Sequence, residues 1–154
     1  MRLTVVAVGR LKEPFWRDAA AEYEKRLRPY ATIEVRELPD QDISGDRARA
    51  VEREGEAVLA ALPERARVIA LDERGSERTS PQLSKRLEDM MVSGDSHAAF
   101  VIGGSVGLSK AVLERADERM SLSQMTFPHQ LARVVLFEQL YRAFKIMKGE
   151  PYHL

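Results

Sequence analysis

Apolar residues along this chain come in two rhythms, short unbroken runs and wider helical spacings, and their alternation lays out the elements. Leu3 to Val8 is a β-branched run closed by Gly9, the signature of a strand buried on both faces. Phe15, Ala19, Tyr23 and Leu27 then recur at helical spacing, with Pro14 where a first turn tolerates it and Pro29 ending the pattern. Thr32 to Leu38 alternates apolar and polar residues as a half-exposed strand does, and Pro39 to Gly45 reads as a loop. Asp46 caps a long charged helix to about Leu62, with Val51, Val58, Leu59 and Leu62 as its apolar contributions. Arg67 to Leu71 is a second buried run, followed by a polar turn from Asp72 to Thr79. Ser80 and Pro81 start a helix whose inward stripe is Leu83, Leu87, Met90 and Met91, ending at Gly94. The most apolar strand, Ala98 to Ile102, delivers Gly103 and Gly104, and another helix begins near Ser109. A last short strand is expected around Met120 to Met125. Thr126 to Pro128 then opens a long helix from about His129 to Met147, with a tail from Gly149 to Leu154.

Strands alternating with helices of this length predict an α/β fold with a mainly parallel sheet and helices on both faces, in a single domain spanning residues 1–154. In such sheets ligands bind where loops leave the carboxyl ends of the strands. Here those loops are Gly9 to Pro14, Asp72 to Thr79, Gly103 to Leu108 and Ser123 to Pro128.

Two of these loops carry recognisable chemistry. The turn Ile102-Gly103-Gly104-Ser105-Val106-Gly107-Leu108 follows a buried strand and precedes a helix, and its three glycines remove the Cβ atoms that would hold a ligand off. It is neither a dinucleotide fingerprint nor a phosphate loop, because the spacing differs and no Gly-Lys-Ser/Thr follows. A tight turn without a ligand explains the same residues. Ser105 also completes a bare G-x-S-x-G, with Asp117 and His129 as formal partners, but 154 residues is short for that hydrolase fold. The segment Ser121 to His129 is dense in hydroxyls that can hold a polar cofactor, while Leu122, Met125 and Phe127 can flank a purine. On the residues alone, a helix N-terminal capping segment packed into the core is the favoured reading.

His97 opens a strand and is expected at the surface. His129 has Arg133 one turn on, so the two are able to share a ligand. There is no cysteine and no H-E-x-x-H, so neither disulfides nor a zinc site is expected. No stretch approaches the 18 or more apolar residues of a membrane span, and a soluble, cytoplasmic protein is the expectation. Basic and acidic side chains balance at 24 each, which counts against a protein gripping RNA phosphates. The balance is uneven, however: residues 1–30 carry seven basic against four acidic groups, residues 34–64 four against nine, and residues 129–154 four against two. Both chain ends lean positive, so folding and dimerisation can gather a basic face from a neutral total.

Several strings, in order and within a matching length, give the chain its closest likeness: Leu-Thr-Val-Val-Ala-Val-Gly at residues 3–9, Thr79-Ser80-Pro81-Gln82-Leu83, Phe100-Val101-Ile102-Gly103-Gly104 with Gly107-Leu108-Ser109, Ser121-Leu122-Ser123, Thr126-Phe127-Pro128-His129, Leu140-Tyr141-Arg142-Ala143 and Pro151-Tyr152-His153. Together they resemble the ribosomal large subunit methyltransferase H family of the SPOUT class. The resemblance implies methyl transfer from S-adenosylmethionine to N3 of a pseudouridine in 23S ribosomal RNA, a homodimer, and a C-terminal trefoil knot that forms the cofactor pocket; no metal or membrane is implied. By position it assigns cofactor binding to Leu71, Gly103, Gly104, Leu122, Ser123, Gln124, Met125, Thr126, Phe127 and Pro128. It assigns the active site to His129, Arg142, Tyr152 and His153, while Leu154 stands where the family ends in a basic residue. Two other readings fit the same likeness, a ribosome-associated RNA-binding protein without catalysis and a SPOUT methyltransferase acting on transfer RNA. His129 and Arg142, 13 residues apart on one helix, are separated by about 20 Å. A site using both is therefore expected to be completed across a dimer.

Overall fold

A computed structural model describes residues 1–154. In chain order the elements are β1 (Arg2–Val8), α1 (Pro14–Leu27), β2 (Thr32–Leu38), α2 (Arg47–Ala61), β3 (Arg67–Glu77), α3 (Ser80–Val92), β4 (His97–Ile102), α4 (Lys110–Arg115), β5 (Glu118–Ser121) and α5 (His129–Met147). The strands form one sheet in the order β2-β1-β4-β3-β5, and every pairing is parallel. The α/β arrangement expected from the sequence is thus present.

The pleat sorts the buried runs onto two faces. Leu3, Val5 and Ala7 of β1 and Phe100 and Ile102 of β4 point toward α1, α3 and α5, where Leu27, Leu87, Leu136 and Phe144 complete the larger core. Val6, Val8, Ala99 and Val101 point the other way and pack with Val58 of α2 and Val112 of α4. Continuous apolar strands are what a doubly covered parallel sheet requires. Helix starts follow the capping chemistry of the sequence: Asp46 accepts from the Arg49 N–H at 3.2 Å, and Thr79 and Gln82 form a reciprocal capping box.

Two expectations need correction. The segment Asp72 to Thr79, read as a polar turn, is largely strand: β3 runs on to Glu77 and pairs again with β5 at Ser76 and Glu77 after a register shift. A Cβ on Gly75 would lie 2.6 Å from the backbone of Arg119 and Met120, so glycine lets this irregular stretch press against β5. The last strand is Glu118–Ser121, so it begins two residues earlier than expected and leaves 122–128 as loop.

α2 and α4 approach through Gly55. A Cβ there would overlap the Ser109 hydroxyl and sit 2.8 Å from the Ser109 Cβ. That hydroxyl caps α4 by accepting from the Val112 N–H at 3.2 Å. Gly55→Ala is therefore expected to lower unfolding free energy by about 2 kcal/mol through overpacking and loss of the cap, despite alanine's better helix propensity. Urea denaturation at fixed protein concentration checks it: a fall in midpoint with unchanged slope is expected, and an unchanged or higher midpoint would show that Ser109 moves aside freely.

Candidate functional site

Three loops at the carboxyl edge of the sheet enclose a cleft of about 1130 Å³. One wall is Leu71 to Arg74 of β3, where its pairing with β5 shifts register. A second is the turn after β4, where Gly107 adopts a φ of 81° and its N–H donates to the Gly104 carbonyl at 3.1 Å. A Cβ on Gly103 would lie 2.9 Å from Leu108 Cδ2 and 3.2 Å from the Gly107 carbonyl carbon, so a side chain there would force the turn open. The third wall is the loop between β5 and α5. Serines shape it from within: the Ser121 hydroxyl donates to the Ser123 carbonyl at 2.8 Å, and the Ser123 hydroxyl accepts from the Met125 N–H at 2.9 Å. Pro128 precedes α5 and offers no side-chain cap, so the amides of the helix's first turn face this loop without a side-chain acceptor.

Of the residues the sequence assigned to a cofactor, Leu71, Gly103, Gly104, Leu122, Ser123, Met125, Thr126, Phe127 and Pro128 line the cleft, and Gln124 does not. His129 lies on its rim. Arg47, Arg74 and Arg119, with Asp72 and Glu73, add charges of both signs. Sequence reasoning missed Arg47 and Arg119, which in the sequence look like any solvated charge; only the folding of α2 and β5 brings them here.

Arg142, Tyr152 and His153 form a separate cluster. Glu138 Oε1 accepts from Arg142 Nε at 3.0 Å, from Arg142 Nη2 at 2.6 Å and from the Tyr152 hydroxyl at 3.0 Å. Arg142 Nη1 lies 3.1 Å from His153 Nδ1, and the guanidinium carbon stands 4.6 Å from the centre of the Tyr152 ring. Tyr141 meets Tyr152 edge-on at 4.8 Å. Further along, Glu150 accepts from Lys145 at 2.8 Å and from the Tyr30 hydroxyl at 2.6 Å. These contacts dock the tail on α5, where a terminal tail ordinarily frays. Burial, reinforced by the hydrogen bond to Glu138, pushes the Tyr152 phenol up to about 12, so its hydroxyl keeps its proton. The hydrogen bonds that Arg142 donates to Glu138 raise its pKa above the ordinary value.

Two histidine expectations change. His129 and Arg133 do not share an open face: Arg133 is 3% exposed, and its guanidinium donates to the Gly9 carbonyl at 2.7 Å and to Glu37 at 2.5 Å. It ties the ends of β1 and β2 to α5 and is spent on that task. Gly9, with a φ of 98°, lets the chain pass close to His129, whose Nε2 would lie 3.1 Å from a Cβ there. His97 is half-buried, within 2.8 Å of the Thr4 hydroxyl, and its pKa is lowered by burial and by Arg2 and Arg36.

Comparison with known proteins shows what the whole chain is similar to. The family model described as "Predicted SPOUT methyltransferase" matches residues 1–153. A protein of Acetivibrio thermocellus named "Ribosomal RNA large subunit methyltransferase H" is 47% identical over 158 residues, covering 99% of both chains. One of Clostridium perfringens strain SM101, named "Ribosomal RNA large subunit methyltransferase H 1", is 48% identical with the same coverage. Among solved structures, that of a probable methylase family protein from Haemophilus influenzae Rd KW20 superposes with a TM-score of 0.57 at 13% identity. It covers 99% of this chain and 70% of that one, a likeness of fold.

Proposed function

This chain belongs to the SPOUT methyltransferase family, and from that premise we propose that it transfers a methyl group from S-adenosylmethionine to N3 of a pseudouridine in 23S ribosomal RNA. The observation that carries the reading is the cleft between the glycine turn and the 121–128 loop, in a chain 47% identical to a protein named for large-subunit ribosomal RNA methylation.

The cleft's residues fit such a cofactor. Leu71, Leu122 and Phe127 offer apolar contact to a purine, the glycine turn admits the chain backbone to close approach, and the acidic and basic side chains of the rim suit an ammonium and a carboxylate. Bound S-adenosylmethionine supplies a methyl already activated by its sulfonium, so neither a metal nor a covalent enzyme intermediate is needed. The protein's task is to hold the acceptor N3 in line and to take its proton. His129, which lines the cleft, or His153, beside Arg142, takes the proton on an imidazole nitrogen. Arg142 stabilises charge developing on the base's carbonyl oxygens, and Tyr152 supplies a ring on which the pyrimidine stacks.

The two groups of residues sit at opposite ends of α5, about 20 Å apart. A second copy, with its α5 antiparallel to the first, brings the Arg142 cluster of one protomer to the cleft of the other, and the proposed enzyme is accordingly a homodimer. A formal net charge of zero suits docking on a mixed surface of RNA and protein rather than on bare RNA, and a ribosomal substrate makes the cytoplasm the proposed place of work.

Mass spectrometry of ribosomal RNA from cells with and without the gene tests this directly. One methyl group is expected to disappear from a 23S pseudouridine. Its persistence, or loss of a methyl from transfer RNA instead, would overturn the assignment. Calorimetric titration with S-adenosylmethionine separates an enzyme from a binding protein that has kept only the fold.

A further inference from the structure

Behind the glycine turn lies a carboxyl group that the proposed reaction does not use. Glu54, in the middle of α2, is 4% exposed. Its Oε2 accepts from the backbone N–H of Gln41 at 2.9 Å, whereas its Oε1 has no hydrogen-bond partner. Buried acceptors without a donor are rare and costly, and each calls for an explanation.

What faces this oxygen is Gly104. A Cβ there would lie 3.2 Å from Glu54 Oε1, 3.6 Å from Oε2 and 3.1 Å from Val8 Cγ1, so a side chain at this position would crowd the carboxyl. The turn has donors to spare. The N–H of Gly107 is used internally, but outside the regular helices and strands no hydrogen bond starts from the amides of Gly104, Ser105 or Val106. An acceptor lacking a donor thus lies behind a turn whose amides lack an acceptor within the protein.

We propose that Glu54 is a positioning residue for cofactor binding: as the cleft fills, the glycine turn settles onto Glu54 Oε1 through a backbone N–H of Gly104 or Ser105. This rests on the reading of the cleft as the S-adenosylmethionine site. The carboxyl then holds two loops at once, the glycine turn through Oε1 and the segment between β2 and α2 through Oε2. That second segment includes Asp40, whose Oδ2, like His129 Nε2, lies within 4 Å of a Cβ built on Gly9. Filling the cleft thereby also braces the loop beside the proposed base.

Glu54→Gln discriminates well because it keeps length and volume but leaves only one acceptor for two N–H donors. With its oxygen on Gln41, it turns an NH₂ toward the turn's amides. The full-length protein is titrated with S-adenosylmethionine by calorimetry, and amide hydrogen exchange is followed across residues 103–108 with and without it. In the wild type, binding is expected to protect the turn. In Glu54→Gln, Kd is expected to rise at least about tenfold with no gain of protection, while the ligand-free protein melts close to the wild type. Gly104→Ala reaches the same contact from the other side without altering a buried acid, and is expected to abolish the protection too. Wild-type Kd and protection in Glu54→Gln would overturn the proposal, as would a lowered melting temperature with unchanged Kd, which makes Glu54 a packing group. A wild-type protein that binds no S-adenosylmethionine would overturn the reading of the cleft itself, and this proposal with it.

Discussion

Arg142→Ala is expected to slow methyl transfer by roughly 10²- to 10³-fold, the scale of removing one preorganised donor from a developing negative charge, while cofactor affinity stays within about twofold because the residue's proposed contact is with the acceptor base and not with the cofactor. The size of the effect comes from how Arg142 is held. Nε and Nη2 both donate to Glu138 Oε1, the ring of Tyr152 covers one face, and Nη1 is left on the His153 side. The side chain therefore meets the acceptor without first losing rotamer freedom, and its positive charge is permanent. Arg142→Lys keeps the charge but not the fork that grips Glu138, and an intermediate loss is expected. Tyr152, with its phenol pushed up to about 12 by burial and by Glu138, stays a neutral donor well past the ordinary tyrosine range, so no break in the rate profile is expected near pH 10. Single-turnover transfer of a labelled methyl group, with calorimetry on the same samples, checks both. Unchanged turnover in Arg142→Ala would remove the tail cluster from the active site.

How far such a site is legible in the sequence depends on what each residue's surroundings are made of. β1 and β4 announce themselves because a strand covered on both faces must be nearly all apolar: Ala98 to Ile102 is wholly so, and Leu3 to Val8 has one polar member, Thr4, which His97 satisfies. The glycine turn and the serine-rich loop are legible as pocket walls because topology puts them at the carboxyl ends of β4 and β5, the two strands that flank β3. The far half of β3 is not legible: Asp72 to Glu77 is polar because it lies at the solvated rim beside the outermost strand, and its pairing depends on a register shift no local pattern encodes. Arg133 misleads for a related reason. One turn from His129 on an exposed helix it would be a ligand partner, but α5 is packed against α1 and α3, and the guanidinium is buried on Gly9 and Glu37. Glu54 is the extreme case. It sits in a segment of nine acidic and four basic residues, where one more acid signals nothing; only the approach of Gly104 distinguishes it.

Mixing two inactive variants offers a change in signal of about 25-fold and tests where the parts of the site come from. If each active centre takes His129 from one protomer and the Arg142 cluster from its partner, a His129→Ala chain and an Arg142→Ala chain fail for complementary reasons. When equal amounts are unfolded together and refolded, half the dimers are heterodimers, and each carries one centre with both defects and one with neither. About a quarter of all centres are then intact, so activity is expected to climb from roughly 1% or less in either variant alone to about 25% of wild type. A centre built within one protomer predicts no such rise, since every chain in the mixture still lacks a residue. The distance of about 20 Å along a straight 19-residue helix favours the shared centre. Side chains of histidine and arginine do not bridge such a span, and the tail that carries Tyr152 and His153 is fastened to the Arg142 end by Glu138 rather than reaching back to the cleft.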